Sequence, residues 1–130
     1  MKVLITRSEV DAEPLAALLY ARQVETLIDP MISIELIPGT SLDLSGVQAL
    51  LMTSANGVRA YCANNSERQI PLFSVGDATA REAVGCGFEN ISTAGGDVSH
   101  LAELAQSQLS RDGGALLHVA GTITAGDLGN

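Results

Sequence analysis

The chain has 130 residues, with 7 Lys and Arg against 15 Asp and Glu, which leaves a formal net charge of −8. At 46% hydrophobic and 17% charged residues, with a mean hydropathy of +0.25, it carries enough apolar surface to build a core, and this excludes a disordered tail. A single lysine (Lys2) and four aromatic residues without Trp leave no basic stripe for a phosphate backbone and no stacking platform for single strands, so nucleic acid is not an expected partner.

In chain order, residues 2–6 read as a buried strand. Asp11, Glu13 and Pro14 then supply the first-turn chemistry of a helix that carries Leu15, Leu18, Leu19 and Arg22 on one face. Residues 25–29 read as a second strand. Pro30 and Pro38 bracket residues 32–37, whose alternation suits an extended, half-buried strand linking two units. A second series follows, with strands predicted at residues 48–53, 72–75, 90–92 and 115–120 and helices at 56–63, 78–84 and 98–109. The last helix is the clearest, because Val98, Leu101, Ala102, Ala105 and Leu109 share a face. Short apolar runs alternating with helix-period segments predict an α/β fold, a parallel sheet with helices on both faces. The sequence stops just past the last predicted strand, where a further covering helix is expected. That predicts a piece of a longer enzyme, with Ile5, Leu116 and Val119 uncovered and the isolated chain marginally stable or self-associating.

Cys62 and Cys86 form no C-x-x-C pattern and are expected to be buried free thiols. The apolar start is too short for a signal peptide and no run approaches membrane-spanning length, which predicts a reduced cytoplasmic protein with no membrane partner.

Open parallel sheets bind ligands outside the carboxyl ends of their strands. Four small or polar corners lie there: Thr53-Ser54-Ala55-Asn56-Gly57, Gly76-Asp77-Ala78-Thr79-Ala80, Thr93-Ala94-Gly95-Gly96-Asp97 and Gly121-Thr122-Ile123-Thr124. Each alone is ordinary capping chemistry. Together on one rim they suit a ligand with several carboxylates or phosphates, held by helix N-termini and hydroxyls. Neither G-x-G-x-x-G nor G-x-x-x-x-G-K-[ST] occurs, which counts against dinucleotides and P-loop nucleotides. His118, inside an apolar run, reads as a neutral core or strand-end histidine, and His100 as a solvated or capping residue. Asp77 and Asp97 read as helix-start residues, and no metal site is expected.

The ordered set Thr53-Ser54-Ala55-Asn56-Gly57-Val58, Val75-Gly76-Asp77-Ala78-Thr79-Ala80 and Gly95-Gly96-Asp97-Val98 with Leu101, together with Val3-Leu4-Ile5-Thr6-Arg7 and Asp43-Leu44-Ser45-Gly46-Val47, resembles the uroporphyrinogen-III synthase family. The resemblance implies a cofactor-free lyase of tetrapyrrole (porphyrin, haem) biosynthesis that closes hydroxymethylbilane into uroporphyrinogen III while inverting the last pyrrole ring. It also implies two flavodoxin-like α/β domains joined by a two-stranded linker. Residues 1–31 would then be the first segment of domain one, 32–39 a linker strand and 40–130 most of domain two. By matching motif, Thr53, Ser54, Asn56, Gly57, Gly76, Thr79 and Ala80 are expected to contact the polycarboxylate substrate, with no proton donor assigned. Ser8 stands where the family often has Pro, and residues 120–127 lack the family's frequent Arg. The tyrosine often proposed as the family's acid matches neither Tyr20 nor Tyr61. The full-length protein is expected to be a monomer. The competing reading is a non-catalytic flavodoxin-like module that binds a small anion or a partner protein at the same corners.

Overall fold

The computed structural model describes residues 1–39 and 41–121. Two compact units result, Met1–Glu35 and Leu36–Asn130.

In the first unit, β1 (Lys2–Ile5) and β2 (Glu25–Ile28) pair in parallel, with Leu4 opposite Leu27 and Ile5 opposite Ile28, around α1 (Glu9–Tyr20). Ser8 starts the helix: its carbonyl accepts from the Asp11 and Ala12 amides at 3.0 and 2.8 Å, and its hydroxyl donates to Asp11 Oδ2 at 2.9 Å. The helix therefore begins earlier than Asp11, Glu13 and Pro14 suggest, and Pro14 lies inside it. Its inward face is Ala12, Leu15, Ala16 and Leu19, while Leu18 and Arg22 are exposed. Only one face of this two-stranded sheet is buried, so the expected buried strand alternates instead: Ile5 is 3% exposed, against the expectation that it is uncovered, and Leu4 is 52% exposed. Residues 32–37, expected to be a half-buried strand, pair with nothing among the described residues and are exposed at Ile32, Ile34, Leu36 and Ile37.

Helix α1 ends in a turn where Val24 N–H donates to the Leu19 carbonyl at 3.0 Å and Gln23 holds φ at +60°. This left-handed backbone costs an L side chain about 1 kcal/mol. Gln23→Gly is accordingly expected to stabilise the protein by about 1 kcal/mol, less the entropy glycine adds to the unfolded chain. A urea-unfolding midpoint that falls instead of rising would contradict this.

The second unit is built on a four-stranded parallel sheet in the order β5-β4-β3-β6, formed by β3 (Val47–Met52), β4 (Leu72–Ser74), β5 (Ile91–Thr93) and β6 (Ala115–Val119). Alternation divides the core in two. Leu50, Met52 and Leu72 pack with Val58 and Tyr61 of α2 (Ala55–Asn64) and Ala83 of α3 (Asp77–Gly85) on one face. Ala49, Leu51 and Phe73 pack with Leu101 and Ala105 of α4 (Val98–Gln108) on the other. Helices thus cover both faces, as expected of a flavodoxin-like parallel sheet. Leu117 and Val119 join the first cluster, which turns His118 to the opposite face.

At the amino edge the β3–β6 register shifts between Val47 and Ala49. Gln48 spans the shift, its amide donating to the Ser110 and Gly114 carbonyls at 2.8 and 2.7 Å. Gly114, at φ +120°, lies against the Gly46 carbonyl where a side chain has no room. Successive strands step outward from β3 to β4 to β5, and the chain then returns through α4 to place β6 on β3's other side. The strand order reverses between β3 and β6, and in open α/β sheets such a reversal marks the crevice where ligands bind.

Candidate functional site

Three helix N-termini stand on the carboxyl edge of the four-stranded sheet, and the residues before them decide how much donor capacity each retains. Ser54 caps α2, its hydroxyl accepting from the Gly57 amide at 3.0 Å. Asp97 caps α4, accepting from the His100 amide at 2.9 Å. Its other oxygen lies 2.9 Å from His100 Nδ1. These contacts, the backbone bond first, hold the Asp97 carboxyl below its ordinary range. Helix α3 differs, because its N-cap is Gly76 and no side chain among the described residues caps its first turn. Asp77, expected at a helix start, is the first helical residue of α3.

The sequence-predicted residues fall into two neighbouring corners. Thr53, Ser54, Asn56 and Gly57 follow β3, and Gly76, Thr79 and Ala80 follow β4, the adjacent strand. Ser54 is exposed, and Thr53, Asn56, Gly76 and Ala80 are half-buried. Gly57 and Thr79 are buried, Thr79 at 4% exposure. Gly57 has a packing reason to be glycine, since a Cβ there would stand 2.7 Å from the Val119 carbonyl oxygen. Asn56 Oδ1 accepts from Arg59 Nη1 at 2.7 Å, and Arg59 Nη2 pairs with Glu82 Oε2 at 3.0 Å, which ties α2 to α3.

Small residues let the third corner close on the second. Gly96, at φ +105°, donates from its amide to the Val75 carbonyl at 2.8 Å, and a Cβ on Gly76 would meet Gly96 Cα at 3.7 Å. Beneath them, buried Ser74 places its Oγ 3.3 Å from the Gly76 carbonyl oxygen and 3.2 Å from Thr93 Oγ1. Of the fourth corner only Gly121 belongs to the described residues; Thr122 to Thr124 lie outside them.

One group at this edge is not legible as such in the sequence. His118 Nε2 lies 3.1 Å from Thr53 Oγ1, joining the carboxyl ends of β6 and β3 across the order reversal. The signal that points to it is a polar residue near the end of an apolar strand, but its partner follows only from the strand order. Burial alone pushes the His118 imidazole below its ordinary value, so the ring is neutral at neutral pH.

Cys62 and Cys86 are free and half-buried, and both pack against the Leu50 and Tyr61 cluster. Burial, reinforced by a hydrogen bond with Cys86, pushes the Cys62 thiol up to about 12, which makes it a poor nucleophile. Among the described residues no three His, Cys, Asp or Glu side chains stand together as a metal site, and no helix is long and apolar enough to cross a membrane.

The edge therefore offers backbone amides, hydroxyls and the imidazoles of His118 and His100. No curated protein matches the chain at a significant level. The family model described as uroporphyrinogen-III synthase HemD matches residues 13–130. That match takes in both corners and all but the first elements, and the chain belongs to the uroporphyrinogen-III synthase family, whose members serve tetrapyrrole biosynthesis.

Proposed function

We propose that this chain binds hydroxymethylbilane along the carboxyl edge of the four-stranded sheet and serves its cyclising dehydration to uroporphyrinogen III. The observation that carries the assignment of the site is the uncapped N-terminus of α3 at Gly76, next to the Thr53–Asn56 corner. Its first-turn amides, uncapped among the described residues, and the positive end of the helix dipole suit a substrate carboxylate, and they act locally where the net charge of −8 opposes approach. Ser54, Asn56, Thr79 and Ala80 frame the same edge, with Gly57 supporting it from below. The reaction breaks the C–O bond of the terminal hydroxymethyl group, water leaves, and the last ring must be presented at its substituted carbon. The protein's contribution is placement of that ring against the unflipped closure that occurs in solution.

The test is the isomer ratio formed when the chain meets hydroxymethylbilane. Isomer III above the spontaneous background is the expected result, reduced about tenfold or more by Ser54→Ala with Thr79→Ala, which removes the hydroxyl that caps α2 and the buried Thr79 hydroxyl beneath the edge. Isomer I alone at every protein concentration would overturn catalysis by this chain, and would favour the module that binds an anion or a partner at these corners.

A further inference from the structure

The pair at the strand-order reversal adds a group that the corner motifs do not contain. Thr53 and His118 come from adjacent strands, and their 3.1 Å contact is the only hydrogen bond of either side chain among the described residues. A hydroxyl in such a pair has two states. When it donates to the ring nitrogen, only its lone pairs face outward, and these repel a carboxylate. When the ring nitrogen donates to it, the hydroxyl proton is free for a ligand.

We propose that His118 is a positioning residue for carboxylate binding at this edge, its Nε2–H holding the Thr53 hydroxyl so that the hydroxyl proton faces the ligand. The proposal rests on the carboxylate-binding site argued above and extends it to a residue the motifs leave out. Protonated His118 can only donate, so charging the ring fixes Thr53 as a donor and adds a positive charge beside it.

No charged group of the neighbouring elements acts on the His118 ring. Strand β3 has no ionisable side chain. Helix α2 has Arg59, paired with Glu82, and Tyr61 and Cys62, which pack with Leu50 on the opposite face of the sheet. Helix α4 has Glu103, exposed, and His100, exposed and paired with Asp97. None of them contributes to the ring's lowered proton affinity, which comes from burial.

Ligand and proton should therefore bind cooperatively. The stable octacarboxylate uroporphyrin III is the probe, with affinity followed by fluorescence between about pH 5.5 and 8, above the ordinary range of its carboxyls. Affinity is expected to rise about tenfold as the pH falls through the titration of His118, and by linkage the probe should raise the ring's apparent pKa by about one unit, read from its NMR signals in the unsubstituted protein. His118→Gln, which keeps an amide donor but cannot titrate, should bind with a flat pH profile. His118→Leu and Thr53→Val should each weaken binding about tenfold, and no further when combined. Binding that is tight but independent of pH and of His118 would overturn the inference and leave the carboxylate site standing. No binding at any pH would overturn both.

Discussion

Tyr61→Ala is expected to remove about 3–5 kcal/mol of folding stability, most of the margin of an ordinary domain. Tyr61 is 1% exposed and is the largest fully buried side chain among the described residues. It stands between Val58, Leu50 and Leu72 in the cluster that joins α2 and α3 to the sheet. Its ring lies 5.8 Å from that of Phe88, and its hydroxyl donates to the Glu67 carbonyl at 3.2 Å. Arg68 lies over both rings, 5.8 Å from the Tyr61 centroid and 5.2 Å from that of Phe88. The same guanidinium donates to the carbonyls of Cys86 at 2.9 Å and Asn65 at 2.7 Å, so it ties the loop after α2 to the end of α3. Truncation would leave a cavity under that clasp as well as removing apolar contact. Tyr61→Phe separates the two contributions: it keeps the packing and loses one hydrogen bond, at a cost of about 1 kcal/mol. Urea unfolding of the two variants against the parent is the measurement. Equal, small losses in both would mean that the ring is not the centre of this core.

Much of this architecture is legible in the sequence because local pattern and tertiary placement agree. Helix α4 shows its buried face in Leu101 and Ala105 at a spacing of four, with Asp97 as its cap, and the structure places all three in those roles. The strands of the second unit read as apolar runs because helices cover both of their faces. The same rule misleads for β1: its run Val3-Leu4-Ile5 is equally apolar, yet Leu4 lies on a face that no described element of its unit covers. Composition cannot distinguish a strand buried on one side from one buried on two. In α1, Leu18 falls outside the buried face because the inward row runs through Ala12, Leu15, Ala16 and Leu19.

At the candidate site, the corner residues are visible because capping chemistry is local. Whether a corner retains free amides follows the same local rule, because Ser54 and Asp97 make a cap and Gly76 has no side chain to make one. What is not local is the meeting of the corners. Which corners meet depends on the strand order, and that order alone brings His118 to Thr53.

The glycines give the sharpest contrast between local preference and tertiary demand. By helix propensity alone, Gly57→Ala in α2 and Gly85→Ala in α3 should each stabilise the protein by up to about 1 kcal/mol. For Gly85 that is the expected outcome, because a methyl group there meets nothing within 4 Å and its backbone is not left-handed. For Gly57 the sign reverses. Its added Cβ would stand 2.7 Å from the Val119 carbonyl oxygen, and backbone cannot rotate aside as a side chain can. The first turn of α2 must lift away from β6, at an expected net cost of about 1–3 kcal/mol. That movement starts at the Ser54 cap, whose hydroxyl holds the Gly57 amide, and it reaches Thr53, the residue before that cap, and its contact with His118. Gly57→Ala should therefore lower the urea midpoint and, at temperatures where it remains folded, weaken uroporphyrin binding, while Gly85→Ala raises the midpoint and leaves binding unchanged. A Gly57→Ala protein as stable as its Gly85→Ala counterpart would mean that α2 does not rest on the end of β6, and the corner would lose the support that positions it.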